Sequence, residues 1–146
     1  MRFEELTLDN LNIIIPFYVE AFNAPPWNDK WTEETVKKRL TQMINCEGFY
    51  GLICFHEEKE VGMILGNDEH YYDGLHFNIK EFCVDRNIKG KGIGKKLLNE
   101  FTRRLKEKGV DIIYLFTSRT DETEGFYKSQ GYKTLEHMAM MEMELT

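Results

Sequence analysis

The sequence predicts an α+β fold (mixed α/β), with a largely antiparallel sheet and helices packed on it. Two observations support this prediction. Apolar residues alternate at strand spacing or recur at helical spacing, in the order β-α-α-β-β-β-α-β-α-β. Three of the strands follow one another without an intervening helix, which favours hairpins. With 146 residues and no linker-like segment, the chain is expected to form one domain, residues 1–146.

The first elements are placed by apolar spacing and by turn residues. Residues 2–6 form an opening strand, and a helix runs to about Phe22, with a kink or a break predicted at Pro16. A proline-containing loop covers residues 23–31, and Thr32 caps a second helix. The later predicted elements are strands 49–56, 61–67, 76–84, 110–116 and 132–145, a helix from Ile93 that ends at Gly109, and a short helix over 121–130 closed by Gly131.

One predicted strand contains an irregularity. In residues 76–84, the apolar side chains Phe77 and Ile79 are at odd positions, whereas Phe82 and Val84 are at even positions. A strand changes phase in this way where a β-bulge inserts an extra residue. We therefore predict a bulge between Ile79 and Phe82. A chance irregularity without a bulge is the alternative.

Composition and charge exclude several classes of function. The chain is 42% hydrophobic and 30% charged, as is usual for soluble globular proteins, and it has no apolar run that could span a bilayer. Residues 84–109 carry nine Lys/Arg against three Asp/Glu, whereas the remainder carries ten against twenty-two. This division suits an anionic cofactor and a cationic substrate and argues against nucleic acid. Three cysteines and four histidines without metal-ligand spacing predict a cytoplasmic protein with no metal site.

Residues 84–98 (VDRNIKGKGIGKKLL) place glycines at 90, 92 and 94 between a strand and a helix. Such a turn binds anions because glycine lets backbone N–H groups converge and the helix dipole adds positive potential. The phosphate loop GxxxxGKS/T would need a glycine at Lys89, and the dinucleotide fingerprint GxGxxG would need one at Lys95. The spacing therefore predicts a phosphate-bearing cofactor of another class.

Residues 87–92 (NIKGKG) follow the pattern Gln/Arg-x-x-Gly-x-Gly/Ala between strand and helix, with asparagine at the first position. Residues 125–132 (GFYKSQGY) fit the pattern FYxxxGF. With these motifs, the element order and the phase slip, the sequence resembles the GCN5-related N-acetyltransferase (GNAT) superfamily over essentially its whole length. The resemblance implies a GNAT-like fold, with a mostly antiparallel twisted sheet, helices on both faces, and strands splayed at Val84 and Val110.

The resemblance also implies acetyl-CoA (coenzyme A) as the cofactor. The main chain of residues 82–84 would pair with the pantetheine arm, and the backbone amides of residues 89–95 would bind the pyrophosphate. Two positions depart from the family pattern, Asn87 in place of Gln or Arg and Thr120 in place of a frequent Asn. The implied cofactor-binding residues are Phe82, Cys83, Val84, Asn87, Lys89, Gly90, Lys91, Gly92, Ile93, Gly94, Lys95, Thr120 and Tyr127.

Two residues are candidates for acid–base catalysis. Tyr127 matches the family's tyrosine acid, which would protonate the departing thiolate. Glu81 is the candidate base because it lies at the phase slip, where side chains are re-aimed, and it could act through water. The alternative for Glu81 is a substrate-orienting or ordinary edge-strand carboxylate. Cys83 is expected to be a small buried residue rather than a nucleophile.

Aromatic and acidic side chains form a candidate acceptor site, since π faces and carboxylates suit an organic ammonium. These residues are Trp27, Trp31, Glu69, Tyr71, Tyr72 and Asp73. The tryptophan loop loosely resembles that of aminoglycoside 6′-N-acetyltransferase-like members. Tryptophans that anchor a helix pair in the core are the alternative.

The predicted function is transfer of an acetyl group from acetyl-CoA to a primary amine of a small cationic substrate, aminoglycoside- or polyamine-like, by direct attack. A protein Nα or lysine acetyltransferase is one alternative. A CoA-binding regulatory module without turnover is another. A homodimer is possible because dimers are usual in the superfamily.

Overall fold

The computed structural model describes residues 1–88 and 91–146. The strands are β1 (Arg2–Glu5), β2 (Phe49–His56), β3 (Lys59–Tyr71), β4 (Gly74–Val84) and β5 (Val110–Leu115). The helices are α1 (Leu11–Asn23), α2 (Glu33–Ile44), α3 (Ile93–Glu107) and α4 (Glu124–Ser129). The chain divides into an N-terminal unit (Met1–Tyr114) and a C-terminal unit (Leu115–Thr146). Among the described helices, none is long and apolar enough to cross a bilayer.

The described strands form one sheet in the order β1-β2-β3-β4-β5, with antiparallel pairing from β1 to β4. The predicted α+β class is confirmed. The side-chain carboxylate of Asp111 accepts a hydrogen bond from the backbone N–H of Leu75 at 2.9 Å, so β5 begins beside the start of β4. Val110 therefore lies next to the end of β4 that is opposite to Val84, rather than next to Val84 itself.

β4 contains the predicted bulge. Leu65 on β3 pairs with Glu81, whereas the next residue, Gly66, pairs with Ile79. Lys80 is therefore an extra residue on β4, and it is exposed. The insertion explains the slip in apolar phase and turns Glu81 to the same face of the sheet as Leu65.

Helices cover both faces of the sheet. On one face, α1 and α2 share a buried cluster with residues of β2, β3 and β4. On the other face, the ring of Phe101 on α3 lies 5.5 Å from that of Tyr50 and 5.4 Å from that of Phe77. Burying each such side chain contributes about 1.5–3 kcal/mol. The apolar face of α3 is fully buried and comprises Ile93, Leu97, Leu98, Phe101 and Leu105.

The first two helices begin and continue for identifiable reasons. The sequence predicted either a kink or a break at Pro16, and α1 continues through this residue without a break. Pro16 lies on the exposed side of the helix. α2 begins at the predicted cap. The hydroxyl of Thr32 accepts from the N–H of Thr35 at 3.1 Å, and the hydroxyl of Thr35 accepts from the N–H of Thr32 at 2.8 Å. This reciprocal pair is a capping box.

The β3–β4 hairpin is longer than predicted. Residues 68–75, expected to form a loop or a strand end, extend both strands and close in a two-residue turn at Tyr72 and Asp73. Gly74 follows the turn with φ 137°, a value that favours glycine. The hairpin therefore projects beyond the part of the sheet in which β4 carries Glu81.

The C-terminal unit contains the predicted short helix. Gly131 has φ 97°, and its N–H donates to the carbonyl of Lys128 at 3.1 Å. The N–H of Tyr132 donates to the carbonyl of Tyr127 at 3.0 Å. These two bonds form a Schellman motif that ends α4 where the sequence predicted.

The predicted strand over residues 132–145 is wrong, because this segment is described throughout and contains no strand. The alternating apolar and acidic residues have strand character, but a strand also needs a neighbour for its backbone groups and a surface for its apolar face. The methionines of this segment are exposed, among them Met141 and Met143.

Candidate active site

The bulge on β4 directs Glu81 towards α2. Nε and Nη2 of Arg39 both donate to Oε1 of Glu81, at 2.9 and 2.5 Å. Arg39 directly precedes the buried Leu40, so α2 holds it at the border of its apolar stripe. Tyr18 of α1, which is 1% exposed, interacts with both charged groups. We call Tyr18, Arg39 and Glu81 the Glu81 cluster.

Burial sets the protonation of this cluster. Burial raises the pKa of Glu81 above its ordinary value, and the charge and hydrogen bonds of Arg39 oppose the rise. Burial, followed by the charge of Glu81, also raises the pKa of Tyr18, which keeps the phenol neutral. The pKa of the Cys83 thiol is raised well above its usual value by burial and then by Glu81. Cys83 is therefore a buried thiol, whereas Glu81 takes up a proton more readily than an ordinary glutamate.

Trp31 borders the Glu81 cluster. Asn23 fixes the loop, since its side chain accepts from the Trp31 N–H at 2.8 Å and donates to the Trp31 carbonyl at 2.9 Å. The indole N–H donates to Asp29 at 3.0 Å, and the indole ring lies edge-on to Tyr18 at 5.3 Å. The guanidinium carbon of Arg39 is 6.0 Å from the indole centroid. The structure thus brings a predicted acceptor residue beside Glu81, with a further carboxylate at Asp29.

Trp27 lies in the same loop but makes a different contact. It is 39% exposed, and its ring packs against that of Phe22 on α1 at 5.0 Å. This contact fits the alternative in which the tryptophans anchor the helix pair better than it fits a role in the acceptor site.

Two asparagine amides lie on the face of the sheet that carries Glu81. Asn67 is two residues beyond Leu65 on β3 and pairs with Asn78 on β4. Asn67 is 5% exposed, and within the described part of the chain both of its side-chain polar atoms and Oδ1 of Asn78 have no hydrogen-bond partner. Buried amides are normally hydrogen-bonded, so these two can still bind a polar group.

The other predicted acceptor residues lie at the end of the β3–β4 hairpin. Tyr71 stacks on His76 at 4.3 Å between ring centroids, and Asp73 Oδ1 lies 2.8 Å from His76 Nε2. Glu69 accepts from the hydroxyl of Tyr114 at 3.4 Å, and Tyr72 is 99% exposed. His76 is five residues from Glu81 along β4, a separation of about 17 Å. The structure therefore divides the predicted acceptor residues into two groups.

The N-terminus of α3 has the features of an anion site. Gly92 has φ 62°, and its carbonyl accepts the first helical bond, from Lys96 at 3.0 Å. The first N–H groups of a helix have no partner inside the helix, and this first turn contains no acidic residue. Lys91 and Lys95 are exposed on either side of Gly92, whereas Ile93 is buried and anchors the turn. The pyrophosphate of a cofactor fits this arrangement.

The loop that leads into this turn starts in an ordered way. The carboxylate of Asp85 accepts from the N–H of Asn87 at 2.9 Å, and the Asp85 N–H donates to the carbonyl of Val61 at 2.8 Å. The side chain of Asn87 is exposed, and Gly94 is half-buried. The predicted cofactor residues Lys89 and Gly90 lie outside the described residues.

The strand before the loop holds the predicted pantetheine residues. Phe82, Cys83 and Val84 pair with Ile64, Met63 and Gly62 of β3. Cys83 is buried among residues of the α1–α2 face, and Phe82 and Val84 are half-buried.

Two predicted site residues belong to the C-terminal unit. Tyr127 of α4 packs edge-on against Phe126 and Tyr132, each at 5.4 Å, and burial raises the pKa of its phenol. The hydroxyl of Thr120 lies 2.7 Å from that of Thr123 and accepts from the Thr123 N–H at 3.1 Å. Thr120 therefore has a structural role in the turn that precedes α4.

The sequence interpretation did not include Arg39, Tyr18, Asn67 or Asn78 among the site residues. Tyr18 lies on the buried side of α1, where a tyrosine hydroxyl normally has a polar partner, and this could have indicated a nearby charged group. Arg39 lies between the buried residues Val36 and Leu40 on α2, at the edge of the apolar face of the helix. From this position its long aliphatic stem can pack on the apolar face while the guanidinium reaches a polar partner. The sequence alone did not indicate that Asn67 and Asn78 are neighbours, because only the register of β3 against β4 brings them together.

Comparison with known proteins identifies the family of this chain. The family model for the acetyltransferase (GNAT) domain matches residues 16–142 of the sequence. No curated protein matches the sequence. Because this match spans most of the chain, it shows that the chain belongs to this family.

Solved structures share the fold at low sequence identity. A possible acetyltransferase from Clostridium difficile 630 is 17% identical with a TM-score of 0.82, over 99% of this chain and 97% of that one. An aminoglycoside acetyltransferase from an uncultured soil metagenomic sample, in complex with trehalose, is 22% identical with a TM-score of 0.75, over 99% and 96%. A transcriptional regulator from Bacillus halodurans C-125 is 18% identical with a TM-score of 0.80, over 97% and 99%. At these identities the likeness establishes the fold.

Proposed function

From the premise that the chain belongs to the GNAT family of acetyltransferases and is an acetyl-CoA-dependent N-acetyltransferase, we propose that its acceptor is a primary amine of a small cationic substrate, aminoglycoside- or polyamine-like. The observation that carries this proposal is the position of Glu81 beside Trp31 and Asp29. A π face and carboxylates at a half-buried site favour an organic ammonium. The aminoglycoside acetyltransferase among the structural relatives supports the same chemical class.

We propose that the donor site is formed by the end of β4 and the start of α3. The backbone of residues 82–84 would take the pantetheine arm, and the amides of residues 91–95, together with Lys89 and Gly90, would take the pyrophosphate. When bound, acetyl-CoA supplies the acetyl thioester that the amine attacks. Lys91 and Lys95 add positive charge beside a helix N-terminus that has no acidic residue in its first turn.

Glu81 would accept the proton of the attacking amine, through water. Its raised pKa supports this role, because a better proton acceptor is needed to deprotonate an alkyl ammonium. Arg39 and Tyr18 would position the carboxylate. Tyr127 would donate its phenolic proton to the sulfur of CoA, since a phenol with a raised pKa keeps its proton at neutral pH.

We also propose that both units act as one acetyltransferase domain in the cytoplasm, as a homodimer. The family match spans both units, which supports a single functional domain. Cys46, Cys54 and Cys83 are free thiols, as is usual for cytoplasmic proteins.

The direct test is thiol release from acetyl-CoA with polyamines, aminoglycosides and basic peptides as acceptors. We expect turnover with at least one small polyamine or aminoglycoside and much less with peptides. Turnover confined to peptides would assign the protein acetyltransferase alternative. Tight CoA binding without thiol release from any amine would assign the regulatory module.

A pH profile tests the base. If Glu81 acts deprotonated, kcat/KM rises with pH through its pKa. Arg39 lowers the pKa of Glu81, and Arg39→Lys should weaken this effect, so the pKa of Glu81 and the rising limb of the profile should move to higher pH. Glu81→Gln should abolish the rising limb. An unchanged limb in both variants would exclude Glu81 as the base. Tyr127→Phe should lower kcat at least about tenfold if the phenol is the acid.

A further inference from the structure

Two neighbouring asparagines on the sheet have hydrogen-bonding groups that the chain does not use. Asn67 on β3 is 5% exposed, and Asn78 lies directly opposite on β4 and is half-buried. Within the described part of the chain, Nδ2 and Oδ1 of Asn67 and Oδ1 of Asn78 make no hydrogen bond. A buried amide without a partner costs free energy, so proteins retain such groups mainly where function requires them.

The pair lies on the same face of the sheet as Glu81. Asn67 is two residues beyond Leu65, which pairs with Glu81, and side chains two residues apart on a strand are separated by about 7 Å. Asn78 is half-buried, so solvent reaches this part of the face. The terminal torsion of asparagine is broad, so either amide can turn towards a ligand. A ligand whose amine lies at Glu81 would therefore place its next polar group at the asparagines, a distance that one substituted six-membered ring spans.

The chemistry of the unused atoms favours a hydroxyl group. Asn67 presents one donor and one acceptor, and Asn78 adds a second acceptor. An ammonium group only donates hydrogen bonds, so it would leave Nδ2 of Asn67 without a partner. The N–H and C=O of a trans peptide group point in opposite directions, so one peptide group reaches only one of the two kinds of atom. A hydroxyl donates and accepts through a single oxygen and can therefore bind both.

We propose that Asn67 and Asn78 bind a hydroxyl group of the acceptor, and that they make the enzyme selective for hydroxylated amines of the amino-sugar or amino-cyclitol class over polyamines. This inference rests on the proposed function, in which Glu81 receives the attacking amine, and it narrows the acceptor to one of the two classes named there. The two asparagines determine specificity and take no part in proton transfer. A site that hydrogen-bonds a substrate hydroxyl discriminates strongly against an analogue without it, because the buried polar groups are then left unpaired.

Thiol release from acetyl-CoA tests the selectivity. The acceptors are the positional isomers of aminocyclohexanol, cyclohexylamine, which lacks the hydroxyl, and the polyamine spermidine. For at least one isomer, kcat/KM should exceed the values for cyclohexylamine and spermidine by at least about tenfold. Asn67→Leu, which is similar in size but has no hydrogen-bonding group, should bring the ratio of isomer to cyclohexylamine close to one. Equal kcat/KM values in the unaltered protein, or an unchanged ratio in Asn67→Leu, would overturn the inference.

Thermal unfolding tests the same pair without any substrate. Asn67→Leu should raise Tm by about 2–4 °C, because the apolar side chain replaces a buried amide that has no partner. Asn10→Leu is the matched control, since the Asn10 amide donates to Glu4 and Glu5, each at 2.9 Å. Its oxygen also accepts from the N–H of Thr7 at 2.9 Å. The control should lower Tm and leave the kcat/KM ratio unchanged. A loss of stability in Asn67→Leu as large as that in the control would make the amide structural and overturn the inference.

The outcomes separate this inference from the proposed function. If the enzyme acetylates cyclohexylamine, spermidine and the aminocyclohexanols equally well, the proposed function stands and the hydroxyl site is wrong. If it acetylates none of them, the proposed acceptor class is wrong, and calorimetric binding of the same amines to the CoA-bound protein decides the inference alone. Equal affinities for cyclohexylamine and every aminocyclohexanol isomer would then overturn it.

Discussion

The N-terminal unit (Met1–Tyr114) and the C-terminal unit (Leu115–Thr146) differ in how their apolar side chains are covered. In the N-terminal unit, β2 to β4 lie between α1 and α2 on one face and α3 on the other, and side chains such as Leu52, Met63 and Phe77 are inaccessible to solvent. In the C-terminal unit, no side chain reaches that degree of burial, and all residues of the unit are described.

The difference shows that similar apolar content does not guarantee a core. A sheet covered on both sides buries its apolar residues within one unit, whereas a short unit with a single six-residue helix has too few residues to build a core of its own. The stability of the N-terminal unit is therefore expected to reside in its own packing. The following four predictions probe this contrast, beginning with the largest expected effect.

Phe77→Ala should lower the free energy of unfolding by about 3–5 kcal/mol, because it leaves a cavity between the sheet and Phe101 of α3. Met141→Ala, at a site that is 90% exposed, should change it by less than about 0.5 kcal/mol. Denaturant unfolding measures both values. Similar losses in the two variants would contradict the contrast between the units.

Arg39→Met should lower the free energy of unfolding by about 2 kcal/mol, because the carboxylate of Glu81 would lose the partner that lies 2.5 Å from it. The partial exposure of Arg39 keeps the loss below that of a fully buried pair. Arg39→Lys is the control, since it keeps a positive charge. If the methionine variant proves as stable as the parent at neutral pH, the Glu81 cluster has no stabilising role.

Gly92→Ala should cost about 1–2 kcal/mol, because φ is 62° at this position, although among the described residues no atom lies within 4 Å of an added Cβ. Gly131→Ala, with φ 97° and equally open surroundings, should cost a similar amount and provides the matched control in the other unit. CoA binding, measured by calorimetry, should weaken only in the Gly92 variant, and more strongly in Gly92→Val. Retained affinity in Gly92→Val would remove this turn from the cofactor site.

Glu100→Gln should have the smallest effect, below about 1 kcal/mol, since the ion pairs on α3 are partly exposed. Hydrogen bonds from Arg103 and Arg104 lower the pKa of Glu100 to about 2. A lowered pKa contributes stability above the unfolded value near 4.5 and loses it as the pH falls towards 2. The variant should therefore match the parent at the lowest pH and fall below it above pH 5, as thermal melts can show. A difference that grows towards low pH would contradict the assignment.

Much of the fold and the glycine turn before α3 could be predicted, because each depended on neighbours in sequence. The bulge at Lys80 appeared as a change of apolar phase, and α2 began at a threonine cap. The glycine turn before α3 was predicted by spacing, and Gly92 has the positive φ that only glycine adopts readily. The acceptor side was less predictable. Trp31 borders the Glu81 cluster, whereas Trp27 and the hairpin residues Tyr71 and Tyr72 lie elsewhere.

By itself, the sequence determined the helices, the hairpin strands, the bulge and the glycine turn before α3, since these depend on periodicity, caps and backbone preferences over a few residues. Only the tertiary structure decided that Arg39 binds Glu81 across 42 residues and that Asn67 meets Asn78 on the same face. It also decided that residues 132–145 do not form a strand within their own chain. The physical reason is the same in each case, because such contacts depend on which surfaces meet in three dimensions and local patterns do not encode that choice.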